Sequence, residues 1–157
     1  MSTVRTSTVR GVTPRRLFRA LATAEAITWA LLLAGMFLKY VTETTELGVS
    51  IFGMVHGVVF IAYGLVTILV AVDQRWSLGR LALGLAAAVP PFATLPFERY
   101  ADRRGLLGGA WLSRADSPTA AQRLMWWLLE HQRRALGIGV VAVLGLTGLA
   151  LLVGPPA

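Results

Sequence analysis

A chain of 157 residues that is 55% hydrophobic and 15% charged, with a mean hydropathy of +0.64, has too little polar surface for a soluble domain of its size. It has no cysteine, which excludes disulfides, thiolate catalysis and Cys-ligated zinc or iron–sulfur sites. The net charge is +7, but most of the arginines flank apolar blocks, so anionic lipid headgroups, and not nucleic acid, are the expected counter-charge.

Residues 1–16 are rich in Ser, Thr and Arg and read as a short disordered cytoplasmic tail. The apolar block behind them is too long for a cleaved signal peptide and predicts an uncleaved signal anchor. Four apolar segments follow, at about Leu17–Leu38, Val49–Val72, Leu81–Phe97 and Ala135–Val153. A helix needs about 20 apolar residues to cross a hydrocarbon core of about 30 Å. The first, second and fourth segments meet that length. The third is marginal and carries Pro90, Pro91 and Pro96. Residues 17–104 therefore form a three-segment membrane core, 105–117 a linker, and 118–157 an amphipathic helix leading into a fourth transmembrane helix. Ser117-Pro118 supplies an N-cap and first helical position for that helix. The predicted fold class is an all-α membrane protein, a small bundle of four hydrophobic segments.

Between the segments, Lys39–Gly48 is a short polar turn. Asp73-Gln74-Arg75-Trp76-Ser77 is a tight hairpin with Trp76 at headgroup depth, and Glu98–Arg134 is a long polar linker. Trp126, Trp127, Arg133 and Arg134 mark a further membrane interface. Positive residues favour the cytoplasm, which places the N-terminus inside. If all four segments cross, seven Lys and Arg lie inside and eight outside, which is no bias. If the third segment turns back at Pro90-Pro91, the counts become fourteen and one. Against re-entry, non-helical backbone at membrane depth must be covered by protein or water. A Pro-kinked third span avoids that requirement, and four full crossings are the preferred reading.

Two ionisable residues lie inside the first two segments. A buried carboxylate at Glu25 is costly unless neutral or paired, and His56 lies at a comparable depth on the antiparallel neighbour. Together with Arg19 they form a candidate polar site able to relay a proton, hold a polar group or bond two helices. The stripe Ala22, Ala26, Ala30 and Ala34 and the pair Gly53 and Gly57 lie at the small-residue spacing of close helix seams. Interhelical bonding is therefore the first reading of Glu25 and His56. No nucleophile–base set, phosphate loop, acid–base carboxylate pair or metal-ligand cluster is visible, so no cofactor is expected. Asp102 and Asp116, set among arginines, read as solvated ion pairs.

In order and spacing, Arg19 ahead of Glu25, Leu38-Lys39-Tyr40, Gly53-x-x-His56-Gly57, Arg75-Trp76-Ser77, and Pro91-Phe92-Ala93-Thr94 followed by Glu98-Arg99 form a set of polar residues within apolar segments. Over residues 16–104 this set resembles the small bacterial integral-membrane family called domain of unknown function 3817. The resemblance implies a bacterial cell-membrane protein with a three-span core and no assigned activity. By the same pattern Glu25, Lys39, His56 and Arg99 are positions of interest, with Glu98 beside the last. Two residues depart from it, Ala26 and Ala93, each standing where the family pattern has glycine.

Three functions follow as expectations. The first is a non-enzymatic accessory subunit packing against other helices, as a homo-oligomer or with other membrane subunits. The second is a small oligomeric transporter or proton-coupled carrier using Glu25 and His56. The third is a membrane lipid-, metal- or haem-binding protein or enzyme using the same pair.

Overall fold

The computed structural model describes residues 13–111 and single helical positions between Arg123 and Leu152. The first helix, α1, runs Pro14–Tyr40. Thr13 caps it, its hydroxyl accepting from the Arg16 N–H at 3.2 Å, and Pro14 takes the first helical position, where its missing N–H costs nothing. The helix thus begins inside the stretch expected to be tail. After a turn over residues 41–46, α2 runs Leu47–Asp73. At about 1.5 Å per residue each 27-residue helix is about 40 Å long. Both are long and apolar enough to cross a membrane.

These two helices pack antiparallel, and their backbones approach most closely at Gly35 and Gly48. A Cβ on Gly35 would lie 2.7 Å from the Gly48 carbonyl carbon. The seam thus lies nearer the 41–46 turn than the small-residue stripe predicts. Ala22 and Ala26 are buried, Ala30 and Ala34 are exposed, Gly53 meets only Leu32 at 3.8 Å, and nothing stands within 4 Å of a Cβ on Gly57.

The third apolar segment does not run through as one helix. Helix α3 covers Leu78–Ala86 and α4 covers Thr94–Arg103. Ser77 starts α3, accepting from the Arg80 N–H at 3.4 Å. The helix stops because Pro90 and Pro91 have no N–H for the Ala86 and Ala87 carbonyls, and because the residue before a proline avoids the helical region. A tight turn replaces it. Val89 N–H donates to the Ala86 carbonyl, Ala93 N–H to Pro90, and Leu95 N–H to Phe92. Phe92 takes a left-handed φ of 64° to close the reversal, while Ala93 at φ −69° requires no glycine.

The chain then returns to the end at which α3 began. Trp76 indole N–H donates to the Leu106 carbonyl at 2.9 Å, and Arg15 N–H to the Gly108 carbonyl at 3.4 Å. A nine-residue α3 rises about 14 Å, less than half of a hydrocarbon core. The expectation of one helix through the third segment is therefore corrected: α3 and α4 form a short helical hairpin. The expected linker is corrected with it, since Glu98–Arg103 belongs to α4.

Trp76, expected in the hairpin after the second segment, packs inward from the turn before α3. It is buried, and with Phe18, Tyr63 and Phe97 it builds the core, with ring centroids 5.5 to 6.1 Å apart along the contacts of Phe18. The Tyr63 hydroxyl donates to the Gly84 carbonyl at 3.0 Å, and a Cβ on Gly84 would meet Phe97 and Thr67 at 3.0 Å. That missing side chain lets α3 lie against α2 and α4 together. The expected amphipathic helix from 118, its Trp126, Arg133 and Arg134, the 105–117 linker beyond Trp111, and Asp116 lie outside the described residues. So does the fourth segment, apart from single exposed or half-buried helical positions from Gly137 to Leu152.

Replacing Gly35 with leucine should push the two long helices apart. Overpacking of this kind costs about 1–3 kcal/mol. Thermal unfolding in mild detergent is expected to shift downward for Gly35→Leu and much less for Gly57→Leu, where space is open.

Candidate functional site

The inner faces of α1, α2 and α4 carry the buried polar residues. Glu25 is wholly buried, as is Thr94. Thr94 stands at the first position of α4, where the returning hairpin lies against α1. Its hydroxyl is 3.0 Å from the Ala22 carbonyl and 3.1 Å from Glu25 Oε2. Glu25 Oε1 has no hydrogen-bond partner among the described residues. The Trp29 indole lies beside the carboxyl but donates to the Ala88 carbonyl at 3.2 Å, at the tip of the hairpin.

His56 is also buried, but it does not touch the Glu25 carboxyl. The Thr28 hydroxyl stands between them, 2.9 Å from the Glu25 backbone carbonyl and 3.1 Å from His56 Nδ1. A hydroxyl has one hydrogen, and a carbonyl can only accept. Keeping both contacts puts the Thr28 hydrogen on the carbonyl and a hydrogen on Nδ1, which donates to Thr28. Trp29 covers the imidazole with ring centroids 4.6 Å apart, and Phe60 stands 6.1 Å away. The line from His56 therefore ends on a backbone carbonyl, which passes no proton to the carboxyl.

About two and three turns before Glu25, α1 carries charge toward α4. Arg19 Nε meets Glu98 Oε1 at 2.8 Å, and its Nη2 meets Asp102 Oδ2 at 3.1 Å. Arg15 reaches the other Asp102 oxygen at 2.8 Å. All four ionic groups sit at i, i+4 spacing, Arg15 with Arg19 on α1 and Glu98 with Asp102 on α4, so each helix presents its pair as a unit. Lys39 lies at the opposite end of the helix pair, 3.4 Å from Glu46, and Arg99 is exposed on α4. Among the described residues no three His, Asp or Glu side chains gather as metal ligands.

The geometry thus divides the sequence candidates. Arg19 joins Glu98, Glu25 joins Thr94, His56 joins Thr28, and Lys39 stands apart. Thr28, Trp29 and Thr94 were not singled out as site residues. Thr28 sits one turn after Glu25, which is a usable signal, whereas nothing local ties Thr94 to residues 69 and 72 positions earlier.

A family model matches residues 15–103, that of "Domain of unknown function (DUF3817)". The chain belongs to this family. A relative in Streptomyces coelicolor (strain ATCC BAA-471 / A3(2) / M145), named "Putative membrane protein SCO5905", is 57% identical over 93 residues, 59% of this chain. The chain spans 11% of that relative's length. No solved structure matches. Family, relative and span-length helices together make this an integral membrane protein of a family without assigned function, and none of them indicates an enzymatic role.

Replacing Thr94 with valine keeps the side-chain shape and removes the hydroxyl from a buried carboxyl. A loss of this type costs about 1–3 kcal/mol. Reduced thermal stability of Thr94→Val in detergent is expected; wild-type stability would show that the tie to α1 carries no weight.

Proposed function

We propose that the protein is a multi-pass, non-enzymatic packing module of the bacterial cell membrane, with α1 and α2 crossing the bilayer and the α3–α4 hairpin entering from the cytoplasmic side. One observation carries this reading. The buried polar side chains serve to join the module's own helices: Glu25 to Thr94, Arg19 to Glu98 and Asp102, and His56 to Thr28. Meanwhile the outward faces of both long helices are apolar, with Ile27, Phe37, Ile51 and Met54 all more than half exposed. A surface of that kind suits lipid or another membrane helix, and a homo-oligomer or a complex with other membrane subunits is the expected assembly. The relative supports this, since the matching stretch there forms a small part of a much longer chain.

Charge supports the orientation. Arg15, Arg16, Arg19, Arg80, Arg99 and Arg103 on α1, α3 and α4, with Arg75 and Arg104 in the adjoining turns, lie toward the hairpin's open end, against Lys39 at the other. Cytoplasmic placement of that end, among anionic headgroups, obeys the positive-inside rule. The carrier reading has weaker support, because the path from His56 stops at the Glu25 backbone.

The native chain has no cysteine, so single cysteines report cleanly. On intact cells a membrane-impermeant maleimide is expected to label Thr44→Cys, and to label Arg104→Cys only after permeabilisation; the opposite pattern overturns the orientation, and labelling of both overturns the re-entrant path. For assembly, Met54→Cys on the outer face of α2 is expected to cross-link into a defined oligomer or a stoichiometric complex in native membranes. A monomer in every membrane and mild-detergent preparation would remove the packing role.

A further inference from the structure

The hydrogen bonds at Thr94 do not balance if Glu25 is a carboxylate. Thr94 has one hydroxyl hydrogen and lies within hydrogen-bond distance of two oxygens, the Ala22 carbonyl at 3.0 Å and Glu25 Oε2 at 3.1 Å. The hydroxyl can donate to either oxygen but not fully to both, and because the carbonyl can only accept, making both contacts at once puts the Thr94 hydrogen on the carbonyl. The second contact is then a hydrogen bond only if Glu25 supplies the hydrogen. No cation stands by to compensate a charge there: Arg19, nearest along α1, is bound to Glu98 and Asp102. The remaining oxygen, Oε1, is buried with no partner among the described residues, which a carbonyl-type oxygen beside an indole tolerates far better than a charged one.

We infer that Glu25 is a proton-binding site, and that the proton held there latches the re-entrant hairpin to α1. The bound form is the acid O–H donating to Thr94, which donates in turn to Ala22. Loss of the proton to base leaves a carboxylate with no donor hydrogen between Oε2 and Thr94. Thr94 must then abandon either the Ala22 carbonyl or Glu25, so one hydrogen bond holds α4 to α1 at that point where two did before. Trp29, two residues inside the hairpin's reach on α1 and bonded to Ala88, is the second fastening and lies against the same carboxyl. The other titratable or charged groups around the site are His56 and Tyr63 from α2, Arg19 from α1 and Glu98 from α4; α3 contributes only Arg80, at its open end. Of these, none but Glu25 lies in hydrogen-bond contact with Thr94. The inference rests on the proposed membrane placement of α1 and of the hairpin but not on the packing role, so the cross-linking experiment can fail without touching it.

The test uses the full chain in lipid vesicles with its glutamates carbon-13 labelled at the side-chain carboxyl. Infrared spectra at neutral pH are expected to show the carbonyl stretch of a protonated carboxyl, isotope-shifted, that Glu25→Gln lacks. Only carboxylate bands in the wild type would overturn the site, and that reading does not depend on the variant folding. The latch is read separately by a spin label on Val89→Cys, at the exposed hairpin tip. Raising pH until the acid band disappears is expected to free the label in the wild type. The same label should remain held in Glu25→Gln, whose amide N–H can still donate to Thr94. A label that stays fixed as the band vanishes, or that moves equally in both proteins, overturns the latch.

Discussion

A backbone that leaves the helical path inside an apolar medium must find partners for its own carbonyls and N–H groups, and this requirement organises the protein. Pro90 and Pro91 end α3 partway through its apolar segment and force the chain to reverse there. The reversal survives because α1 faces it with the right groups. The Trp29 indole takes the Ala88 carbonyl, and Thr94, just past the turn, binds back to the Ala22 carbonyl. Two tie points on α1, at Ala22 and two turns further on at Trp29, thus convert a costly reversal into a docked hairpin.

Charge does the corresponding work at the open end. Arg15, Arg19, Glu98 and Asp102 form a continuous ionic chain between α1 and α4. Such pairs contribute little where water screens them, and more where one partner is as enclosed as Glu98. Beneath the chain lies the aromatic cluster of Phe18, Tyr63, Trp76 and Phe97, which draws one ring from α1, one from α2, one from the turn before α3 and one from α4. Every element of the described fold is fastened at this end, and only α1 and α2 continue to the other.

The two long helices were legible in the sequence from hydropathy, but the start of α1 at Thr13-Pro14 was not, since it lies in a polar stretch that reads as tail. The third segment was not, since hydropathy reports that a residue can lie in an apolar medium and not whether the chain reverses there. Charge distribution favoured the reversal, but the requirement for a protein cover argued against it. That cover is Trp29 and Thr94, whose partners lie 59 and 72 residues away in the chain. Glu25 and His56 stood out as ionisable residues in apolar surroundings, yet their joining groups, Thr94 and Thr28, looked ordinary by composition. The close helix approach at Gly35 and Gly48 was masked by a longer alanine stripe, because spacing identifies a permissive face but not the point of crossing.

The unequal ends of the described fold also bear on the bilayer around it. Among the described residues, more helical elements lie side by side near Arg19 than near Lys39, so in the proposed placement this part of the fold is broader in one leaflet than in the other. A flat, symmetric bilayer fits such a shape poorly. Lipids beside the hairpin tip, where Val89 and Phe92 are exposed, must fill the room that the missing half of α3 and α4 leaves above them. The described fold is a wedge as well as a bundle, and in the proposed placement membrane curvature and lipid shape enter its energy beside its own contacts.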